Sequence, residues 1–146
     1  MVMKIIRILF LSLLLIFYGN AFADYQTILK KAKQGNAESQ YTLGTLYELG
    51  EGVTEDDKEA FKWFSLAASQ GYAKAQNNLG YMYDLGEGVA QDNIRAYMWK
   101  YLAAAQGEID AAEQRDDLAS LMTKEQLEKA QKMARDCKAR NYKSCD

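Results

Sequence analysis

The sequence predicts an all-α fold, an α-α superhelix (solenoid) of stacked antiparallel helical hairpins, and three observations predict it. Gly35–Gln70 recurs as Gly71–Gln106 at an offset of 36 residues, with half of the positions identical. Within each copy the apolar residues fall at three- and four-residue spacing, which puts them on one helix face. The 146-residue chain also has no proline, the strongest helix breaker. A repeat of this length marks two-helix units that cannot bury their apolar faces alone and so stack on copies of themselves.

Residues 1–23 read as a secretory signal peptide rather than as part of the fold. Lys4 and Arg7 give a basic start, Ile8–Phe17 is apolar apart from Ser12, and Ala21-Phe22-Ala23 supplies the small residues of a cleavage site. The apolar run falls short of the ~20 residues that span a bilayer, although an uncleaved anchor is the competing reading. Cleavage near Ala23 leaves a chain starting at Asp24, in the periplasm or secreted. Without Lys4 and Arg7 the 18 basic residues become 16 against 20 acidic ones, a net charge of −4. That balance argues against nucleic acid, which demands clustered Lys and Arg. It also argues against an anionic membrane surface once the signal is removed.

Residues 24–34 predict an N-terminal capping helix with Tyr25, Ile28, Leu29 and Ala32 on its buried side and Lys30, Lys31 and Lys33 in water. Helical repeat 1 covers 35–70 and repeat 2 covers 71–106. In the first, Ala37, Gln40, Leu43, Gly44 and Tyr47 share a face of helix one. Gly50 ends that helix, since glycine takes the left-handed conformation helix C-termini often need. Gly52 permits a second turn, and Thr54 to Asp57 offers side-chain oxygens to cap the second helix. That helix carries Ala60, Trp63, Phe64 and Ala67 on one face, and the chain leaves through Gln70-Gly71. Gly44 and its counterpart Gly80 sit inside helices at a cost of ~1 kcal/mol each relative to alanine. Their recurrence predicts close approach between paired helices, with Ala60 or Ala96 opposite. Residues 107–140 form a degenerate closing hairpin. Arg115-Asp116 replaces the Leu-Gly pair and Ala119 the tyrosine, as suits a terminal unit that faces water. Thr123 and Gln126 have capping-box spacing, and Leu127, Ala130, Ala134 and Cys137 line the last helix. Residues 141–146 are a tail.

The recurring residues are Leu43-Gly44 with Leu79-Gly80, Tyr47 with Tyr83, and Leu49-Gly50-Glu51-Gly52-Val53 with Leu85-Gly86-Glu87-Gly88-Val89. Ala60 and Trp63 recur as Ala96 and Trp99, and Leu66-Ala67-Ala68 as Leu102-Ala103-Ala104. This pattern resembles the Sel-one-like repeat family, a relative of the tetratricopeptide repeats, and the segment from Gly107 resembles the family's degenerate closing unit. The resemblance implies a concave groove lined by the first helix of each unit. It places Glu38, Tyr41, Thr45 and Glu48 there from unit one, Lys74, Asn77, Tyr81 and Asp84 from unit two, and Asp110, Glu113 and Asp117 from the closing unit. An ordinary solvated helix face is the alternative for these residues.

Other chemistry is weakly supported. Glu51 and Glu87 sit inside the Gly-x-Gly turns, where they would repel phosphate, and no Gly-Lys-Ser/Thr follows. Asp56, Asp57 and Asp92 fit helix starts, where the dipole favours negative charge. The chain has no histidine, so the commonest general base and metal ligand is missing. The penicillin-linked members of the family carry cysteines in every repeat, and this chain does not. It also lacks a Ser-x-x-Lys motif after the signal. No catalytic residue, cofactor or metal is expected. Cys137 and Cys145 suit one structural disulfide in an exported protein. Closing that loop contributes roughly 2–3 kcal/mol in the chain-entropy treatment; free thiols or a bond between two chains are the alternatives. The function expected is a non-catalytic exported module that binds a protein or peptide, basic or amine-bearing, along the groove. Tyr81, which stands where unit one has Thr45, would be an anchor. The alternatives are a small envelope enzyme acting on peptidoglycan or β-lactams, and a subunit of a larger envelope complex.

Overall fold

A computed structural model describes residues 24–145. The expected signal peptide and the final residue of the tail lie outside the described residues. Among the described residues there are seven helices and no strand. Residues 24–33 are helical (α1). They are followed by α2 (Ala37–Leu49), α3 (Asp57–Ala68), α4 (Ala73–Leu85), α5 (Asn93–Ala104), α6 (Ile109–Leu121) and α7 (Lys124–Ala139).

The local signals act where they stand. Asn36 caps α2 by accepting from the Ser39 amide at 2.8 Å. Asp56 caps α3 by accepting from the Lys58 and Glu59 amides, and Asp92 caps α5 through Ile94 and Arg95. Thr123 and Gln126 form a reciprocal capping box on α7. Gly50 and Gly86 close α2 and α4 in the left-handed region, with φ of 67° and 76°.

Helices α2 and α3 pack as one hairpin and α4 and α5 as the next, with α4 seated on α3. The two helical glycines explain the closeness. A Cβ at Gly44 would lie 2.6 Å from the Phe64 ring. One at Gly80 would lie 2.6 Å from Lys100 Cγ and 3.1 Å from the Ala96 carbonyl oxygen. The expected alanine is therefore opposite in unit two, whereas a phenylalanine ring fills the space in unit one. Trp63 and Trp99 are both buried. Trp63 donates its indole N–H to Glu59, and among the described residues no hydrogen-bond partner reaches the Trp99 indole N–H, because Arg95 stands where unit one has Glu59.

Buried glutamines tie successive units together. Gln40 donates to the Ala32 carbonyl at 3.1 Å and accepts from Gln70 at 2.7 Å. Gln76 repeats both bonds with Ala68 and Gln106, at 3.3 and 2.7 Å. Each spans the end of the preceding helix and the exit of its own hairpin, so a buried carboxamide is satisfied while two units are joined.

The closing segment packs differently from the two repeats. The link between α6 and α7 is residues 122–123, against 50–56 in unit one. Both α6 and α7 pack on α5, and they touch each other only marginally. Asp116 stands where the two repeats have the helical glycine that allows close approach. The buried face of α7, Ala130, Ala134 and Cys137, instead covers the second hairpin. Leu102 is buried in consequence, whereas the matching Leu66 is 42% exposed. Cys137 and Cys145 are joined by a disulfide. Asn141, Tyr142 and Ser144 turn the tail in the left-handed region, with φ of 53°, 62° and 53°. The turn lays the Tyr142 ring over Gly71, where a Cβ would come within 2.9 Å.

Candidate binding groove

The first helices of the units, α2, α4 and α6, carry all the residues that the resemblance assigns to the groove. The structure brings eight of the eleven to three places and leaves the other three apart on the surface. At the N-terminal ends of these helices, Tyr41, Lys74, Asn77 and Asp110 line one open cleft of about 250 Å³, joined by Asn78 and Glu108. Tyr41 is held by tilted ring contacts with Phe64 and Tyr72, with centroids 5.7 and 5.2 Å apart. Thr45, one turn further on, donates its hydroxyl to the Tyr41 carbonyl. The side-chain oxygen of Asn77 is buried and has no hydrogen-bond partner among the described residues. A buried acceptor left unmatched costs about 1–3 kcal/mol, and the residue that carries it lines the cleft.

The second place is built around a residue that sequence reasoning did not single out. Lys100 occupies the register position of Phe64 and is 1% exposed. Its stem lies against Gly80 and its ammonium donates to the Gln114 side-chain oxygen at 2.6 Å. The ammonium sits 5.8 Å from the centre of the Tyr81 ring. Burial pushes the amine pKa below its usual range, and the nearby Asp84 carboxylate opposes that shift. Tyr81 and Asp84 thus belong with Lys100 and Gln114. The signal that could have found Lys100 was present: a charged side chain stands at a core position in one copy of the repeat.

The third place is a carboxylate group at the other end of α2. Burial raises the Glu48 pKa, and repulsion from Glu87 and Asp57 adds to it. Glu38, Glu113 and Asp117 are exposed and do not line the cleft. Among the described residues no group of side chains could hold a metal ion, and no helix is long and apolar enough to cross a membrane.

Comparison with known proteins bears on the stacked-hairpin fold that carries these residues. A solved protective antigen present in uropathogenic Escherichia coli strains, described as displaying an SLR fold, superposes with a TM-score of 0.76 at 28% identity. It covers 81% of this chain, which spans 26% of that protein's length. A Sel1 repeat protein from Oxalobacter formigenes superposes with a TM-score of 0.61 at 38% identity, over 62% of this chain and 68% of the other. No curated protein sequence matches the chain. The Sel1 repeat family matches at residues 37–72 and 73–108, the two glycine-bounded hairpins. On the repeat residues, the stacked hairpins and these matches, the chain belongs to the Sel1 repeat family, whose members are generally non-catalytic protein-interaction modules.

Proposed function

We propose that the protein is an exported, non-catalytic module of the bacterial envelope that binds a protein or peptide in the cleft between α2, α4 and α6. The observation that carries this reading is the buried, unmatched side-chain oxygen of Asn77 in a cleft shared by three successive units. A turn of the Asn77 amide into the cleft would offer this oxygen to the N–H donors of a peptide main chain, and Asn78 adds a second carboxamide to the lining. Glu108 and Asp110 favour an amine or guanidinium on the partner, while Lys74 gives the opposite wall a cation. Tyr41 presents a ring fixed by its neighbours, which loses little freedom when a ligand packs on it. The signal-like residues 1–23 and the disulfide both suit an oxidising compartment.

The test is a pull-down from envelope extracts with wild type and with an Asn77→Ala, Asp110→Asn double variant. Neither residue is part of the core, so the variant is expected to fold and to lose the captured partner. An identical partner set for both proteins would rule out the cleft.

A further inference from the structure

The two ends of the solenoid each lack the kind of helix that the other end carries. Helix α1 holds the place of a hairpin's second helix. Ala32 stands in the register of Ala68 and Ala104. Gly35 turns the chain after it with a φ of 92°, as Gly71 and Gly107 do with 84° and 98°. The Ala32 carbonyl accepts from Gln40 as the Ala68 carbonyl accepts from Gln76. Among the described residues no first helix precedes α1. Its inner face is therefore bare: Ala60, Trp63 and Ala67 are buried in the first hairpin, while their counterparts Asp24, Thr27 and Lys31 are exposed.

Helix α6 is the reverse case, a first helix without its second. It packs on α5 as α4 packs on α3, but α7 also packs on α5 and leaves α6 almost untouched. Gln76, Gly80 and Tyr83 are buried within the second hairpin. Their counterparts Ala112 and Ala119 are only partly buried, and Asp116 is exposed.

The two bare helices carry opposite charge. Helix α1 has Lys30, Lys31 and Lys33 against Asp24 alone, and α6 has Asp110, Glu113, Asp116 and Asp117 against Arg115 alone. The three lysines and Glu113, Asp116 and Asp117 are all exposed. Two α1 ends brought together would oppose lysines, and two α6 ends would oppose carboxylates, so only unlike ends attract.

We propose that copies of this chain stack head to tail, α1 of one copy taking the empty second-helix place beside α6 of the next. Contact between two unlike surfaces leaves one of each free after every addition, so growth continues past the dimer. None of Lys30, Lys31, Lys33, Glu113, Asp116 and Asp117 lines the Asn77 cleft, so the contact goes beyond peptide binding there.

The experiment is sedimentation velocity on the purified protein over a concentration series reaching about 1 mM, in low salt and in 1 M salt, where charges are screened beyond about 3 Å. Two charge-reversal variants accompany it. Lys30→Glu, Lys31→Glu, Lys33→Glu makes both ends acidic, and Glu113→Lys, Asp116→Lys, Asp117→Lys makes both basic. All six side chains are exposed, so both variants should keep their helical circular dichroism. In low salt the wild type is expected to grow past the dimer with concentration, and 1 M salt to reverse this. Each variant alone should associate at least about tenfold more weakly. An equimolar mixture of the two should regain the assembly, because each supplies the end that the other has lost. A wild type that stays monomeric in low salt, or stops at a dimer, would overturn the proposal. So would a variant that assembles like wild type, or a mixture that stays monomeric.

Discussion

Phe64 in the first hairpin and Lys100 in the second hold the same register position beside a helical glycine, and they fill it by different means. Phe64 closes the space with a ring that also supports Tyr41. Lys100 fills it with its methylene stem and sends its charge outward to Gln114 on α6 and toward Tyr81. A lysine can do this because its stem is apolar while its head needs a polar partner. The difference follows from what lies beyond each hairpin. The first is followed by a full repeat, which α3 meets with aromatic contacts. The second is followed by α6, whose Gln114 offers an oxygen. The scaffold position is common to the units, and what it does depends on the neighbour.

Removing the ring should have the largest effect. Phe64→Ala is expected to cost about 3–5 kcal/mol, as for a buried aromatic side chain, read as a lower midpoint in urea. Lys100→Met keeps the stem volume and removes a buried charge, so its effect should stay within about 1 kcal/mol of wild type. Equal losses for the two variants would break the comparison.

The closing helix gives the second prediction. Reducing the Cys137–Cys145 bond, or Cys145→Ser, is expected to cost roughly 2–3 kcal/mol. Hydrogen exchange should rise first around Gly71, where Tyr142 rests, because the disulfide holds the turn that places this ring. Unchanged protection at Gly71 would show that the tail holds itself.

Alkaline titration separates the hairpins by sign. The folded pKa of Lys100 lies below its usual 10.5, so the unfolded chain binds more protons in the window just below 10.5. Stability relative to Lys100→Met should therefore rise as pH climbs through that window. Tyr47 behaves oppositely. Its hydroxyl bonds with Tyr25 at 3.2 Å, and that bond, with burial adding to it, pushes its pKa from 10.0 up to about 12. Its contribution is complete below pH 10 and is lost as pH rises through 12. Tyr47→Phe should abolish that loss, and equal pH profiles for wild type and this variant would refute it.

The smallest effect is at Glu48. Its raised pKa means that the fold disfavours the ionised form, so stability falls as pH rises through the folded pKa. Glu48→Gln should stabilise the protein at neutral pH by roughly 0.5 kcal/mol or less, as expected for partly exposed charges. The gain should disappear in acid once the wild-type carboxyl is protonated.

Much of the fold was legible because the signals are local. Asp56, Asp92 and Thr123 cap helices through amides two or three residues away, and Gly50 and Gly86 end helices because only glycine is unstrained at their φ. The glutamine ties were written in the repeat as well, since Gln40 and Gln70 recur as Gln76 and Gln106, although no periodicity rule says that they bond. The groove was legible only in part. Tyr41, Lys74, Asn77 and Asp110 meet in one cleft, but Tyr81 and Asp84 belong with Lys100, while Glu38, Glu113 and Asp117 stand apart in water.

Taken alone, the sequence determined the helices, their ends, the two-helix brick and its register, because each follows from interactions within a few residues or from copies of one pattern. Only the tertiary structure decided that Asn78 and Glu108 join the cleft, that Lys100 reaches Gln114, that α7 covers α5 rather than α6, and that Tyr142 comes to rest on Gly71. Those outcomes depend on the rotation between successive units. That rotation is set by the close packing of all the side chains between them, and no short window of sequence contains it.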